Sequence, residues 1–484
     1  MTTLKADPSE GITANETISG DLAHALDVMR DCGFNQLWVL NPAQLQRDAA
    51  SVERARLAGW DIRLSKTRGG ETIAPEADDW MLAYKIGEYT PAGYSLVFPS
   101  LSTRATGPGL WLTAAKGVGQ NSHTLHEALK LYARALGMAY YRTTPTTGGN
   151  LLRALHSGPH ALSLETPADM PPMARPDGAT ALQDVPIMWR RAVTEGELAA
   201  GPYFLSFDVN AQFLRASNGL SLGFGDVTRL QGDLAQGLVA SAYNVGPNGR
   251  RLIPPGYYRV ALSPRAGITR LPMPHPLYRA GRPDEPFSDA GAWVNAPTVR
   301  LLVELQTPMR CTDAYVWRES HRFFDPWYKR LNAARSALMA DSSPAGALAL
   351  AVLKQTYSHF FGALATERRG DKDGLKRPDW RHADISEARA LHYRNMLAAV
   401  DLGHFPALVT EDTLGYLAPT SDPTEAAALL GLRLSDTTGH YKLKDCVDTR
   451  QRPDVRAALL DTAGDAKALQ GLLARVRREM GRED

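Results

Sequence analysis

Apolar residues recur at helical spacing over residues 21–32, where Leu22, Ala25, Leu26 and Met29 share one face and Gly33 follows as a stop. A second helical pattern covers 43–58, and the clearest of this half covers 123–136. Runs of strand type at 36–40, 80–86, 94–98 and 110–113 stand among them, separated by proline and glycine turns. Strands flanked by helices predict an α/β domain over residues 1–165. Pro167, Pro171, Pro172 and Pro176 then mark a linker, placed at 166–185.

The second half changes rhythm. A strand at 203–207 runs straight into Asp208, and residues 237–305 have hairpin character. Long helical patterns follow at 322–340, 345–364 and 383–399, then a strand–turn–strand unit at 408–417 and a basic helical stretch at 453–481. The expectation is an α/β and α+β multidomain chain.

Composition narrows the class. A chain of 484 residues has room for two to four domains at roughly 100–200 residues each. With 44% hydrophobic and 22% charged residues, disorder and coiled coil are excluded as the main state. No apolar run approaches the ~20 residues of a membrane helix, and the N-terminus lacks an apolar signal core. Cys32, Cys311 and Cys446 have neither zinc spacing nor the number for a disulfide framework, so a reduced cytoplasm is expected. A net charge of +2 neither demands nor excludes nucleic acid.

Three segments carry candidate chemistry. In FLSFDVNAQFLRA (204–216) an apolar strand ends in Asp208. In LAVLKQTYSHFFGALA (350–365), Lys354 and Phe361 lie seven residues apart on a helical pattern, with Gly362 next. In ALVTEDTLGYLAP (407–419), two apolar runs flank a tight Thr-Glu-Asp-Thr turn with acids at its tip. Taken singly, Asp208 reads as a turn or cap residue, Lys354 as a surface lysine, and Phe213 and Phe361 as core.

Their order resembles the palm and fingers motifs of family B DNA polymerases, in particular the protein-primed branch. The family pattern is Asp-x-x-Ser-Leu-Tyr-Pro, then Lys-x-x-x-Asn-x-x-Tyr-Gly, then Asp-Thr-Asp in a hairpin. The runs at 296–305, 314–335 and 385–418 look closest to telomere-associated proteins of linear actinobacterial replicons, which work beside a terminal protein. The resemblance implies a right-hand polymerase: a degenerate RNase H-like exonuclease-type domain at 1–165, palm at 186–320 and 366–435, fingers at 321–365, and a thumb-like basic region at 436–484.

It also implies roles. Nucleotidyl transfer uses two divalent ions, and Mg2+ or Mn2+ prefers oxygen ligands. Asp208 and Asp412 match the family's metal carboxylates, with Glu411 as a further candidate ligand, although alternation turns it away from Asp412. Thr410 stands where the hairpin's first Asp belongs, and Ser358 replaces the motif Asn. Lys354 matches the lysine that meets the incoming triphosphate, with Arg335 as a weaker match. Phe361 and Gly362 match the Tyr-Gly at the nascent base pair, and Phe213 matches the tyrosine that blocks a ribose 2′-hydroxyl. Arg368, Arg369, Lys376 and Arg377 would grip DNA phosphates, Trp380 would stack on a base, and Lys442 and Lys444 would sit at the primer terminus.

Residues 1–165 contain no Asp-x-Glu motif, so proofreading is not expected. The implied function is a DNA-directed DNA polymerase acting with deoxynucleoside triphosphates and primer–template or single-stranded DNA. It would serve replication or end-patching in association with the nucleoid, with a terminal protein as a further partner. The competing readings are a polymerase-derived scaffold at DNA ends and a template-independent nucleotidyltransferase.

Overall fold

The computed structural model describes residues 2–7, 11–17, 20–31, 36–39, 43, 45–65, 71–78, 80–88, 93–98, 122–141, 143–157, 163–167, 169–174, 187–243, 253–262, 271–272, 291–365, 375–463 and 465–481. The first third carries strands β1 (Thr2–Asp7), β2 (Gly11–Thr17), β3 (Gly20–Asp21), β4 (Gln36–Trp38), β5 (Leu45–Gln46), β6 (Trp60–Arg63), β7 (Trp80–Lys85) and β8 (Tyr94–Val97). Its helices are α1 (Leu22–Asp31), α2 (Ala49–Leu57), α3 (Ser122–Leu136) and α4 (Thr144–Leu155). The middle carries β9 (Trp189–Arg190), α5 (Glu195–Ala200), β10 (Tyr203–Val209), α6 (Gln212–Ser217), β11 (Leu222–Gln231), α7 (Asp233–Ser241), β12 (Gly256–Leu262), β13 (Ala292–Asn295), α8 (Ala296–Glu304) and β14 (Met309–His321). The last third comprises α9 (Phe324–Met339), α10 (Pro344–Ala363), α11 (Pro378–Asp401), β15 (Leu408–Val409), β16 (Thr413–Ala418), α12 (Pro423–Leu429), β17 (Tyr441–Asp448), α13 (Pro453–Leu460) and α14 (Ala466–Glu479).

Local chemistry sets several boundaries. The helix expected over 43–58 begins only at Ala49, because the Asp48 carboxylate caps it by accepting from Ser51 N at 2.7 Å. The helix expected over 383–399 begins earlier, with Pro378 in a first turn that needs no N–H. The C-terminal pattern splits in two, and Asp465 caps the second helix by accepting from Ala468 N at 2.6 Å. The strand expected at 110–113 and Pro176 lie outside the described residues.

The chain divides into two units. The first comprises 1–161, 326–363 and 368–374, and the second comprises 162–325, 364–367 and 375–484. In the first, a six-stranded sheet has the order β2-β1-β4-β8-β7-β6, with only β4 and β8 parallel. The α1 face foreseen in the sequence (Leu22, Ala25, Leu26, Met29) packs with Leu37, Met81 and Leu96 of the sheet. Helices α9 and α10, expected as separate fingers, join this unit. Tyr132 on α3 and Thr356 on α10 share a buried hydroxyl pair at 2.9 Å, and Trp327 on α9 donates to Gly148 O at 3.0 Å.

The second unit contains two antiparallel sheets, β17-β10-β16-β15-β9 and β11-β14-β12-β13. Strand β17 falls in the region read as thumb-like, yet it is a partner of β10 and belongs to the five-stranded sheet. That sheet is covered on both faces. Leu205, Phe207 and Val209 pack with Ala390, Tyr393 and Met396 of α11. Phe204 lies on the other face with Leu459, Leu469 and Leu473 of α13 and α14. Strand alternation puts Ser206 and Asp208 on the same face as Phe204. Gly415 makes room for Phe204, since a Cβ there would stand 2.6 Å from its Cζ.

Candidate active site

Register assembles the site. On β10, Asp208 pairs with Thr413 of β16 on one side and Lys442 of β17 on the other. The Thr-Glu-Asp-Thr turn is closed by Thr410 N donating to Thr413 O at 2.9 Å, and Val209 N donates to Asp412 O at 2.9 Å. The hairpin tip is therefore pinned to the end of β10, and Asp412 stands beside Asp208.

The Thr413 hydroxyl lies 3.2 Å from Asp208 Oδ1 and 3.0 Å from Asp412 Oδ1. Lys444 Nζ is 3.2 Å from Asp208 Oδ1, 3.1 Å from Thr413 Oγ1 and 3.8 Å from Asp412 Oδ1. Lys442 Nζ is 3.3 Å from Asp208 Oδ2. Burial alone would raise the Asp208 pKa, but Lys444, Lys442 and a hydrogen bond from Asp412 hold it below the usual range. Asp412 is pushed up by burial and by the Asp208 charge, against Lys444. The two carboxyls thus titrate as one pair, Asp208 held toward its ionised form and Asp412 toward its protonated form.

Other groups frame the pair. Glu411 is raised by burial and by Asp412, with Arg381 opposing, and its carbonyl accepts from Gln212 Nε2 at 2.8 Å. Thr410 is buried, and its hydroxyl has no partner among the described residues. Beneath the lysines, Ser206 Oγ donates to Asp445 Oδ2 at 2.5 Å, and Arg477 lies 3.4 Å from Asp445.

The other predicted residues sit on other elements. In the first unit, Lys354, Ser358 and Gly362 lie on the exposed face of α10, spaced four residues apart. Phe361 does not join them: it is buried edge-on against Trp327, with ring centroids 5.4 Å apart, and beside Phe360. Arg335 hydrogen-bonds Tyr357. In the second unit, Phe213 is half-buried on α6. The basic stretch divides. Arg368 and Arg369 lie outside the described residues, and the Lys376 side chain is half-exposed. Arg377 and Trp380 are core, at 0% and 1% exposure. The Arg377 guanidinium grips Asp379 at 2.6 and 3.0 Å and donates to Gly223 O at 2.6 Å. It lies over the Trp380 ring, which stacks on Phe323 at 4.6 Å.

Thr413 is the residue sequence reasoning missed. A threonine after two acids in a turn carries no signal of its own, and its role comes from cross-strand register. Among the described residues no group of three or more His, Cys, Asp or Glu converges on one point. The Asp208–Asp412 pair still fits a small divalent ion. Such ions take one or two carboxylates plus substrate phosphate oxygens, and the two carboxyls bridged by the Thr413 hydroxyl offer hard oxygen donors side by side.

No protein-family profile matches the chain, and no curated protein matches it in sequence. In architecture the chain is a mixed α/β multidomain protein with the fold of a right-hand polymerase. The solved structure that carries this is phi29 DNA polymerase bound to primer–template DNA. It is similar over 93% of this chain and 84% of that one, with TM-score 0.50 and 9% identity. The same polymerase with primer–template DNA and incoming nucleotide gives TM-score 0.46 and 10% identity over the same shares.

Proposed function

We propose that this protein is a DNA-directed DNA polymerase of family B type, without 3′–5′ proofreading, acting in replication or end-patching of linear or mobile DNA. The observation that carries the reading is the Asp208–Asp412 pair, clamped by Thr413 and Lys444 at the end of a covered sheet in a polymerase fold.

In this reading Asp208 and Asp412 hold Mg2+ or Mn2+, which activates the primer hydroxyl and neutralises the triphosphate. Thr413 fixes the orientation of both carboxylates. Lys444 keeps Asp208 ionised, and Lys442 faces the primer phosphates. Lys354 neutralises charge on the nucleotide phosphates, with Ser358 and Gly362 on the same exposed face. The Phe213 ring excludes a ribose 2′-hydroxyl by bulk. The absence of Asp-x-Glu in residues 1–165 supports the lack of proofreading. The substrates are deoxynucleoside triphosphates and primed DNA.

The test is extension of a labelled primer with Mg2+ and then Mn2+. Incorporation that disappears in Asp412→Asn is expected, and incorporation that survives loss of both Asp208 and Asp412 would sink the assignment. An alternative reading is favoured by Thr410, which stands where a metal carboxylate belongs. It is a polymerase-derived scaffold at the ends of linear DNA that recruits a terminal protein. It predicts salt-dependent DNA binding with no incorporation under either metal.

A further inference from the structure

A cavity of about 370 Å3 opens in the second unit between α6, α11 and residues 431–441. Val209 and Tyr441 form part of its wall. Val209 follows Asp208 on β10, so alternation sets the cavity across the sheet from the carboxylates. Its volume falls in the range of small-molecule sites.

The lining is cationic. Arg215 and Arg433 contribute to it, and none of the described lining residues is an acid. Among the described residues neither guanidinium has a hydrogen-bond or ion-pair partner. Two lining residues also bury unmatched oxygens. Gln212 is 7% exposed and Thr438 is 6% exposed, and neither Gln212 Oε1 nor Thr438 Oγ1 has a partner among the described residues. Gln212 Nε2 is committed to Glu411 O at 2.8 Å, which leaves Oε1 as an acceptor awaiting a donor. Native structures rarely leave such groups bare, so both oxygens call for a ligand or water.

The rim is built by backbone. Asn210 N donates to His440 O at 2.8 Å, Gly439 N donates to Asn210 O at 2.7 Å, and Asn210 Nδ2 donates to Ser435 O at 2.7 Å. Gly439 has φ +83°, and a Cβ there would stand 2.7 Å from Arg215 Cδ. The glycine therefore lets the Arg215 stem lie along the rim.

We propose that this cavity binds a phosphate monoester about the size of a nucleoside monophosphate. Arg215 and Arg433 take the phosphate, for which planar guanidinium forks are suited. Gln212 Oε1 accepts from a ligand N–H or O–H, and Thr438 Oγ1 completes the polar lining. The phosphate monoester could be a free nucleotide or the 5′-phosphate end of a DNA strand. Neither source requires that the protein polymerise DNA.

The experiment is calorimetric titration of the full chain with deoxyadenosine monophosphate, inorganic phosphate and deoxyadenosine. The monophosphate should bind at least about tenfold tighter than either half, because both ends of the site are then used. Arg215→Gln with Arg433→Gln should weaken it at least about tenfold, and Thr438→Val about threefold, with circular dichroism unchanged. Asp412→Asn should leave binding unchanged. Failure of the folded wild type to bind, or binding indifferent to the double arginine variant, would overturn the proposal. So would binding lost in Asp412→Asn alone, which would place the nucleotide at the carboxylates. Competition by a 5′-phosphorylated oligonucleotide, but not by its unphosphorylated form, identifies a strand end as the source. Failure of both to compete identifies the free nucleotide.

Discussion

Two charged segments of the second unit met opposite fates. At 410–413, acids on a tight turn reach the end of the sheet, where lysines from β17 pair with Asp208 and approach Asp412. At 377–380, an arginine and a tryptophan in a basic stretch fold inward, and the charge is spent on Asp379 and backbone oxygens. By residue type alone, the basic stretch is the better candidate for a DNA contact, and the acidic turn the poorer one. The difference lies in what surrounds each segment. A hairpin tip leaves its charges partly solvated, whereas Arg377 enters a cluster of Phe323 and Trp380 that offers carboxylate and carbonyl partners. A buried charge persists only with such partners.

The sharpest way to break this contrast is at the buried end. Arg377→Ala leaves Asp379 buried and unpaired, and should cost about 3–5 kcal/mol in denaturant unfolding. The salt dependence of DNA binding should not change. A stable variant with weakened DNA binding would return Arg377 to the interface. At the exposed end the effect is catalytic. Asp208→Asn or Asp412→Asn should each lower incorporation by on the order of 10²–10³, with the thermal midpoint little changed.

A third test uses His392, buried on α11 within reach of the Asp208 charge, with Tyr441 Oη 3.4 Å from its Nδ1. Burial pushes this imidazole down to about 4, against the opposing pull of hydrogen bonds to Thr413 and of the Asp208 charge. The unfolded chain binds that proton near the ordinary value of about 6.5, whereas the folded chain does not until about 4. Stability is therefore full above about 6.5 and lost as pH falls toward 4, by up to roughly 3 kcal/mol. His382, also pushed down to about 4 by burial, acts in the same sense. His392→Gln should flatten part of the slope in unfolding measured between pH 7 and 4.5, and an unchanged slope would remove His392 from this role. The smallest effect belongs to Lys442, which is half-exposed beside Asp208. Lys442→Ala should change stability by less than about 1 kcal/mol, while raising the primer concentration needed for half-maximal extension.

The sequence by itself determined the elements whose signal is local. The α1 face, the β10 run into Asp208 and the turn at 410–413 follow from side-chain period and turn chemistry, which need no distant partner. It also named Asp208, Asp412, Lys442 and Lys444, all of which meet at one sheet end. Only the tertiary structure decided what the charges face. Phe361 carried a motif match yet became core against Trp327, and Arg377 became a core ion pair. Thr413 gained its place between the carboxylates because register set it opposite Asp208. Strand β17 joined β10 across more than 200 residues of chain, and no periodicity within either strand announces that pairing. Short-range periodicity shows which residues can be buried, while long-range pairing chooses which charges are left together at the surface.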